Sequence, residues 1–151
     1  MKIEDIVLYI CKKYPLPEEL SKARLTKLVY LADWKSCEQT GKQLSNIKWY
    51  FHNFGPYVDD VVNAARRSDH LRVIETENFY GDPKELISAA KDAPFPRMEK
   101  AEIEVLDSVI EETRRLYWND FIRHVYDTPP IAQSNRHTYL NLENFAKQAR
   151  G

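Results

Sequence analysis

The fold of this chain is decided by Lys27-Leu28-Val29-Tyr30-Leu31-Ala32-Asp33, followed by Trp49-Tyr50-Phe51 and then by Asn53-Phe54-Gly55-Pro56-Tyr57-Val58. In the first segment the apolar residues recur at the spacing of one helix face, which predicts a helix packed against a core. In the second segment the period changes to two. We therefore expect a helix, then a short strand that buries Trp49 and Phe51 and turns Tyr50 outward.

Two helices are predicted on the N-terminal side of that strand. Residues Ile3 to Lys13 carry an apolar stripe at helical spacing, and the prolines that follow end this helix. Ser21 is a suitable N-cap for the second helix, which should run to about Thr40. Gly41 is then placed to form its C-terminal cap.

The turn after the strand should lead into a third helix. Gly55 allows a positive φ, and Pro56 at a first helical position predicts a helix to about Arg67. Beyond it, residues Leu71 to Phe79 have a β-like pattern. They are expected to fold back on residues 84–89 as a hairpin.

The rest of the chain is predicted to be helical. Prolines in residues 92–97 indicate a linker, followed by helices to about Leu116, from Trp118 to Tyr126, and within residues 140–150. The expected fold class is mainly α, within α+β: a helical body with a small antiparallel β-sheet or hairpin. We expect one domain over residues 1–151, with a core at about 3–130 and a C-terminal helical tail at 131–151.

Composition limits the classes of partner. The 151 residues include 22 basic and 23 acidic side chains, for a net charge of −1. A partner held mainly through phosphates requires a basic face, so the balanced charge argues against nucleic acid as the ligand. The N-terminus does not resemble a signal peptide, and the sequence contains no apolar run near the ~20 residues that span a bilayer. We expect a cytoplasmic protein without membrane contact; its oligomeric state is left open.

The sequence offers no set of residues arranged for catalysis. Nucleophile-elbow, zinc-protease and nucleotide-binding motifs are absent, and the chain has only four glycines. Its four histidines are scattered without metal-ligand spacing, and Cys37 lies in no recognisable motif. We therefore expect no catalytic residue, no metal, no cofactor and no enzymatic activity.

The density of aromatic residues favours an interaction surface. Seven aromatic residues lie between Tyr30 and Tyr57. Many must belong to the core, and whether some also form an interface is left open by the pattern. An uncovered outer strand face would be an aromatic patch of the kind that anchors protein partners. The candidate partner-binding residues are Trp49, Tyr50, Phe51, Tyr57 and Asp60.

A DNA-binding protein with a winged-helix-like body is the alternative hypothesis. The helix–strand–helix order permits it, and basic residues stand near the start of the second helix and near residue 70: Lys22, Arg24, Lys27, Arg66, Arg67 and Arg72. A recognition helix, however, requires exposed base-reading positions. The predicted second helix instead has a wide apolar face.

The segments at residues 27–33, 49–51 and 53–58 also resemble the Panacea domain of the SocA-like antitoxins, a family found in prophages and toxin–antitoxin loci. The resemblance extends from about Ile3 to Pro130. The positions that carry it are Lys27, Leu28, Tyr30, Leu31, Ala32, Gly41, Gly55 and Pro56. From the residues alone, these positions are structural: they pack a helix or shape a turn.

The resemblance implies a function that the residues alone do not. It implies a bacterial or phage antitoxin that neutralises a cognate toxin by direct protein contact. In some members it implies delivery of the toxin to a cellular protease. The expected partners are therefore a toxin protein and, if this chain acts like those members, a cellular protease.

Overall fold

Seven α-helices, one 3₁₀ helix and five short strands form the structure, a computed structural model that describes residues 1–150. Their order is α1 Ile3–Lys13, the 3₁₀ helix Pro17–Glu19, α2 Lys22–Thr40, β1 Trp49–His52, β2 Gly55–Pro56, α3 Asp60–Arg67, β3 Leu71–Glu77, β4 Pro83–Ala89, α4 Lys100–Thr113, α5 Trp118–Tyr126, α6 Pro129–Ala132, β5 Tyr139–Leu140 and α7 Leu142–Arg150. A helical body with small antiparallel sheets confirms the predicted fold class.

Helix α2 is the centre of the molecule, with α3, α4 and α7 packed around it. Both predicted caps are confirmed. The Ser21 hydroxyl accepts a hydrogen bond from the Arg24 N–H at 3.2 Å, and Gly41 ends the helix in the left-handed region at φ 84°. Because neighbours cover most of its circumference, α2 buries charged as well as apolar side chains, including Arg24, Lys27 and Asp33.

The prediction that Pro56 opens a helix was wrong. Gly55 does have a positive φ of 108°, as predicted, but Pro56 lies in strand β2 and pairs with Phe51 of β1. The Tyr57 N–H then donates to the Tyr50 carbonyl at 3.1 Å, which extends the pairing. Proline is tolerated at such a sheet edge, where its missing N–H leaves no bond unmade. Helix α3 begins later, at Asp60.

Two antiparallel sheets flank the helices. The predicted hairpin is confirmed as β3 paired with β4, in register from Leu71 opposite Ala89 to Glu77 opposite Pro83. The other sheet has the order β2-β1-β5, in which Trp49 pairs with Leu140 and Tyr50 with Tyr139. Strand β5 was not predicted, nor was the short helix α6.

The C-terminal segment is packed into the body. Helix α7 lies on α2, where the Arg150 guanidinium donates to the carbonyls of Cys37, at 3.1 Å, and Glu38. Leu140, Leu142 and Ala146 of this segment are buried. No helix within residues 1–150 is both long enough and apolar enough to cross a membrane.

Candidate partner-binding surface

A buried carboxylate on α2 positions strand β1. Asp33 is fully buried and accepts hydrogen bonds from the Ser45 N–H at 2.9 Å and the Trp49 indole at 2.8 Å. The Ser45 hydroxyl and the Gln43 amide donate to it as well, at 2.5 and 3.3 Å. Burial raises the pKa of this carboxyl, and the donors oppose that shift. The four bonds hold the indole in the core and thereby fix which face of β1 points outward.

A second side chain of α2 supports the same strand. The Tyr30 ring meets the Trp49 ring edge-on, with centroids 5.5 Å apart. Its hydroxyl lies 2.8 Å from the Thr128 hydroxyl, which donates to the Val125 carbonyl at 2.6 Å. Tyr30 therefore ties α2 to the end of α5 while its ring packs beneath β1.

The opposite side of β1 and β5 carries a cluster of aromatic rings at the protein surface. We call Tyr50, His52, His137 and Tyr139 the aromatic face. Tyr50 lies at its centre, with its ring centroid 5.0 Å from that of Tyr139, 5.9 Å from that of His52 and 6.4 Å from that of His137. Tyr139 is 74% exposed, both histidines are exposed, and Tyr50 is partly buried by its neighbours.

The loop before β5 holds the aromatic face in place. His137 has a φ of 66°, an uncommon conformation for a residue with a side chain. Its N–H donates to the Phe51 carbonyl at 2.6 Å, and the Phe51 N–H donates to the Thr138 carbonyl at 2.9 Å. These two bonds continue the β1–β5 pairing and place the His137 ring beside His52, with centroids 6.1 Å apart.

The structure divides the five predicted partner-binding residues. Tyr50 lies on the outer face as expected. Trp49 and Phe51 have 0% and 3% of their surface exposed, so they are core residues and cannot be surface contacts. The Tyr57 ring lies near the charged groups of α2, α3 and β4, where burial raises its hydroxyl pKa, and it does not join the aromatic face. Asp60 is exposed at the first residue of α3.

Three members of the aromatic face were not predicted. His52 could have been found, since it lies two residues after Tyr50 and strand alternation places both on one face. His137 and Tyr139 gave no local signal because β5 contains only two residues. Their place depends on pairing with a strand more than eighty residues earlier in the sequence.

The sequence also raised a nucleophilic Cys37, a metal site and a DNA-binding basic surface, and the structure bears on each of them. Burial, with the charge of Asp33, raises the pKa of the Cys37 thiol to about 12, which disfavours the nucleophilic thiolate at neutral pH. Within residues 1–150, no three histidine, cysteine or acidic side chains are grouped to hold a metal ion. Arg24, one of the basic residues invoked for DNA binding, is buried, and its guanidinium is already bonded to the Tyr14 hydroxyl and to the carbonyls of Thr113 and Leu116.

A comparison with models of known protein families identifies the family of this chain. A family model described as the antitoxin SocA-like, Panacea domain matches residues 25–130, more than half of the sequence. The chain belongs to the SocA-like antitoxin Panacea family. Comparisons with curated proteins and with solved structures returned no match. The Panacea match runs from the first turns of α2 into α6, so it includes Tyr50 and His52 but not β5, which supplies Tyr139.

Proposed function

We propose that this Panacea domain is a cytoplasmic, non-enzymatic antitoxin that neutralises a cognate toxin by binding it directly through the aromatic face. The observation that supports this proposal is the exposed cluster around Tyr50. Tyrosine is enriched among the residues that dominate binding energy at protein interfaces, because its ring buries a large area and its hydroxyl retains a polar partner. Membership in an antitoxin family provides the kind of partner.

The rigidity of the aromatic face suits it to binding. Tyr50 and Tyr139 pack edge-on, and the strand beneath them is held by the buried bonds of Asp33 to Trp49. Side chains that are already ordered lose little conformational entropy when a partner binds. When a toxin covers this surface, little of the favourable contact free energy would therefore be offset by a loss of side-chain entropy.

Growth rescue and co-purification test the proposal. The chain would be co-expressed with the protein encoded beside its gene, and the purified pair would be measured by calorimetry. Restored growth and a stable complex are expected. If the chain neither rescues growth nor co-purifies with that protein, the proposed function is wrong.

A tyrosine pair tests the location of the interface. Tyr139→Ala should weaken toxin binding at least tenfold, since hot-spot truncations cost about 2 kcal/mol or more. The matched control is Tyr80→Ala, which removes another highly exposed tyrosine, at the tip of the β3–β4 hairpin. Both variants should keep the thermal midpoint of the wild type. Equal affinity of the two variants would place the interface elsewhere.

A further inference from the structure

Lys27 is a buried lysine beneath the β1–β2 turn. It belongs to α2 and has 2% of its surface exposed. Its Cε lies 3.4 Å from the point that a Cβ on Gly55 would occupy, and the Tyr126 ring lies 3.3 Å from the same point. The missing side chain of Gly55 thus leaves room for the lysine to pass between the turn and α5.

The ammonium group of Lys27 has no acceptor within residues 1–150. Arg24, one turn earlier and equally buried, donates to the Tyr14 hydroxyl and to two carbonyls, those of Thr113 and Leu116. Lys27 makes neither a hydrogen bond nor an ion pair there, and the described residues contain no fully buried polar side-chain atom without a partner. Its Nζ therefore remains in contact with solvent. Burial alone lowers its pKa to about 8, with no contribution from a neighbouring carboxylate.

The turn that covers Lys27 adjoins the aromatic face. The Tyr126 hydroxyl is 3.4 Å from the guanidinium of Arg136, which also donates to the Asn53 carbonyl at 3.0 Å. Arg136 directly precedes His137 of the aromatic face, and the Phe54 ring, next to Gly55, is 81% exposed. The turn that covers Lys27 thus lies at the edge of the surface proposed to bind toxin, and a second cation, that of Arg136, stands next to it.

We propose that Lys27, between Gly55 and Tyr126, accepts a carboxylate side chain of the bound toxin. This inference rests on the proposed function and deepens it by naming an acidic contact at the edge of the aromatic face. A largely desolvated cation without a protein acceptor destabilises the free protein, and an incoming carboxylate would form a charge-assisted hydrogen bond with it. Arg136 would strengthen the attraction for the same acidic group.

A purely structural role makes a different prediction. If Lys27 served only to fill space with its alkyl chain, a methionine of similar length would replace it without any effect on binding. Under the proposed role, Lys27→Met removes an unpaired buried charge and also removes the contact. The variant should therefore be more stable than the wild type and bind more weakly.

The test compares Lys27→Met with Lys35→Met. Lys35 lies on the same helix and pairs with Glu112 of α4, away from the turn. For Lys27→Met we expect a raised thermal midpoint and at least tenfold weaker binding of the co-purified toxin; for Lys35→Met we expect wild-type affinity. Lys27→Gln, which is neutral but polar, provides a second neutral variant if the methionine variant does not fold.

The pH dependence of toxin affinity separates the two roles, because a lysine that only fills space would not change it. The protonated lysine binds the carboxylate, so wild-type and Lys35→Met affinities should fall as pH rises above about 8, relative to the Lys27 variant. Neutral Lys27 variants that bind within twofold of wild type would overturn the inference alone. A wild-type chain that binds no toxin would overturn the proposed function, and this inference with it.

Discussion

Asp33 shows how one buried polar residue can decide the course of a strand. Its carboxylate accepts from four donors, two of them on Ser45 and one on the Trp49 indole. An unpaired donor in this position would cost about 1–3 kcal/mol. Asp33 is the last residue of the α2 segment Lys27–Asp33. Its hydrogen bonds link α2 to β1 across a loop that has no regular secondary structure.

Asp33→Ala should lower the free energy of unfolding by about 2–4 kcal/mol, because the Ser45 and Trp49 donors would lose their acceptor inside the core. Urea denaturation monitored by tryptophan fluorescence measures the loss. Asp120→Ala is the control, since that carboxylate forms an exposed pair with Arg123. A change below about 0.5 kcal/mol for Asp33→Ala would contradict the role assigned to it.

Lys27 should make stability depend on pH in a defined direction. Its pKa is about 8 in the folded chain, below the ordinary 10.5, so between these values the unfolded chain binds more protons. The stability of the wild type relative to Lys27→Met should therefore rise as pH increases from about 8 to 10.5. Below pH 8 the difference should be constant and about 3 kcal/mol less favourable to the wild type than above pH 10.5. Urea midpoints of both proteins across this range measure the difference, and a constant difference would contradict the prediction.

At the scale of secondary-structure elements, local sequence patterns were sufficient to predict the long helices but not the shortest strands. Helix α2 was predicted from Ser21 to Gly41 because a hydroxyl cap and a glycine with positive φ are local features. Pro56 was misassigned because its strand conformation depends on pairing with Phe51, which competes with proline's preference for a first helical turn. Tyr50 was placed correctly by alternation within β1.

The β1–β2 turn should tolerate a side chain at Gly55 poorly. Gly55→Ala forces a residue with a Cβ to φ 108° and brings that Cβ to 3.3 Å from the Tyr126 ring. Gly81→Ala, in the hairpin turn, also forces a residue with a Cβ to a positive φ, of 83°, but that Cβ meets nothing within 4 Å. We expect a loss of about 1 kcal/mol for Gly81→Ala and about 2–3 kcal/mol for Gly55→Ala. Thermal unfolding compares the two, and equal losses would show that crowding at the turn is unimportant.

Across the whole molecule, the apolar residues that define the family are buried, whereas the aromatic face proposed to bind lies at the surface. Tyr30 packs beneath β1 against Trp49, and Leu28 and Ala32 are buried elsewhere in the core, whereas the aromatic face lies on the outer side of β1. The family match ends at residue 130, yet two of the four rings come from beyond that point. Half of the proposed surface therefore depends on how the C-terminal segment packs against the Panacea core.

That dependence leads to a prediction for a chain shortened to residues 1–130. The deletion removes β5, which pairs with β1, and the buried side chains of Leu140 and Leu142. Each buried leucine contributes about 1.5–3 kcal/mol, a large share of the 5–15 kcal/mol that stabilises an ordinary domain. Thermal denaturation followed by circular dichroism should show a much lower or non-cooperative transition, while Phe79→Ala, at the exposed hairpin tip, should unfold like the wild type. A shortened chain with the wild-type midpoint would show that the Panacea core is stable alone, and its toxin affinity would then measure how much Tyr139 and His137 contribute.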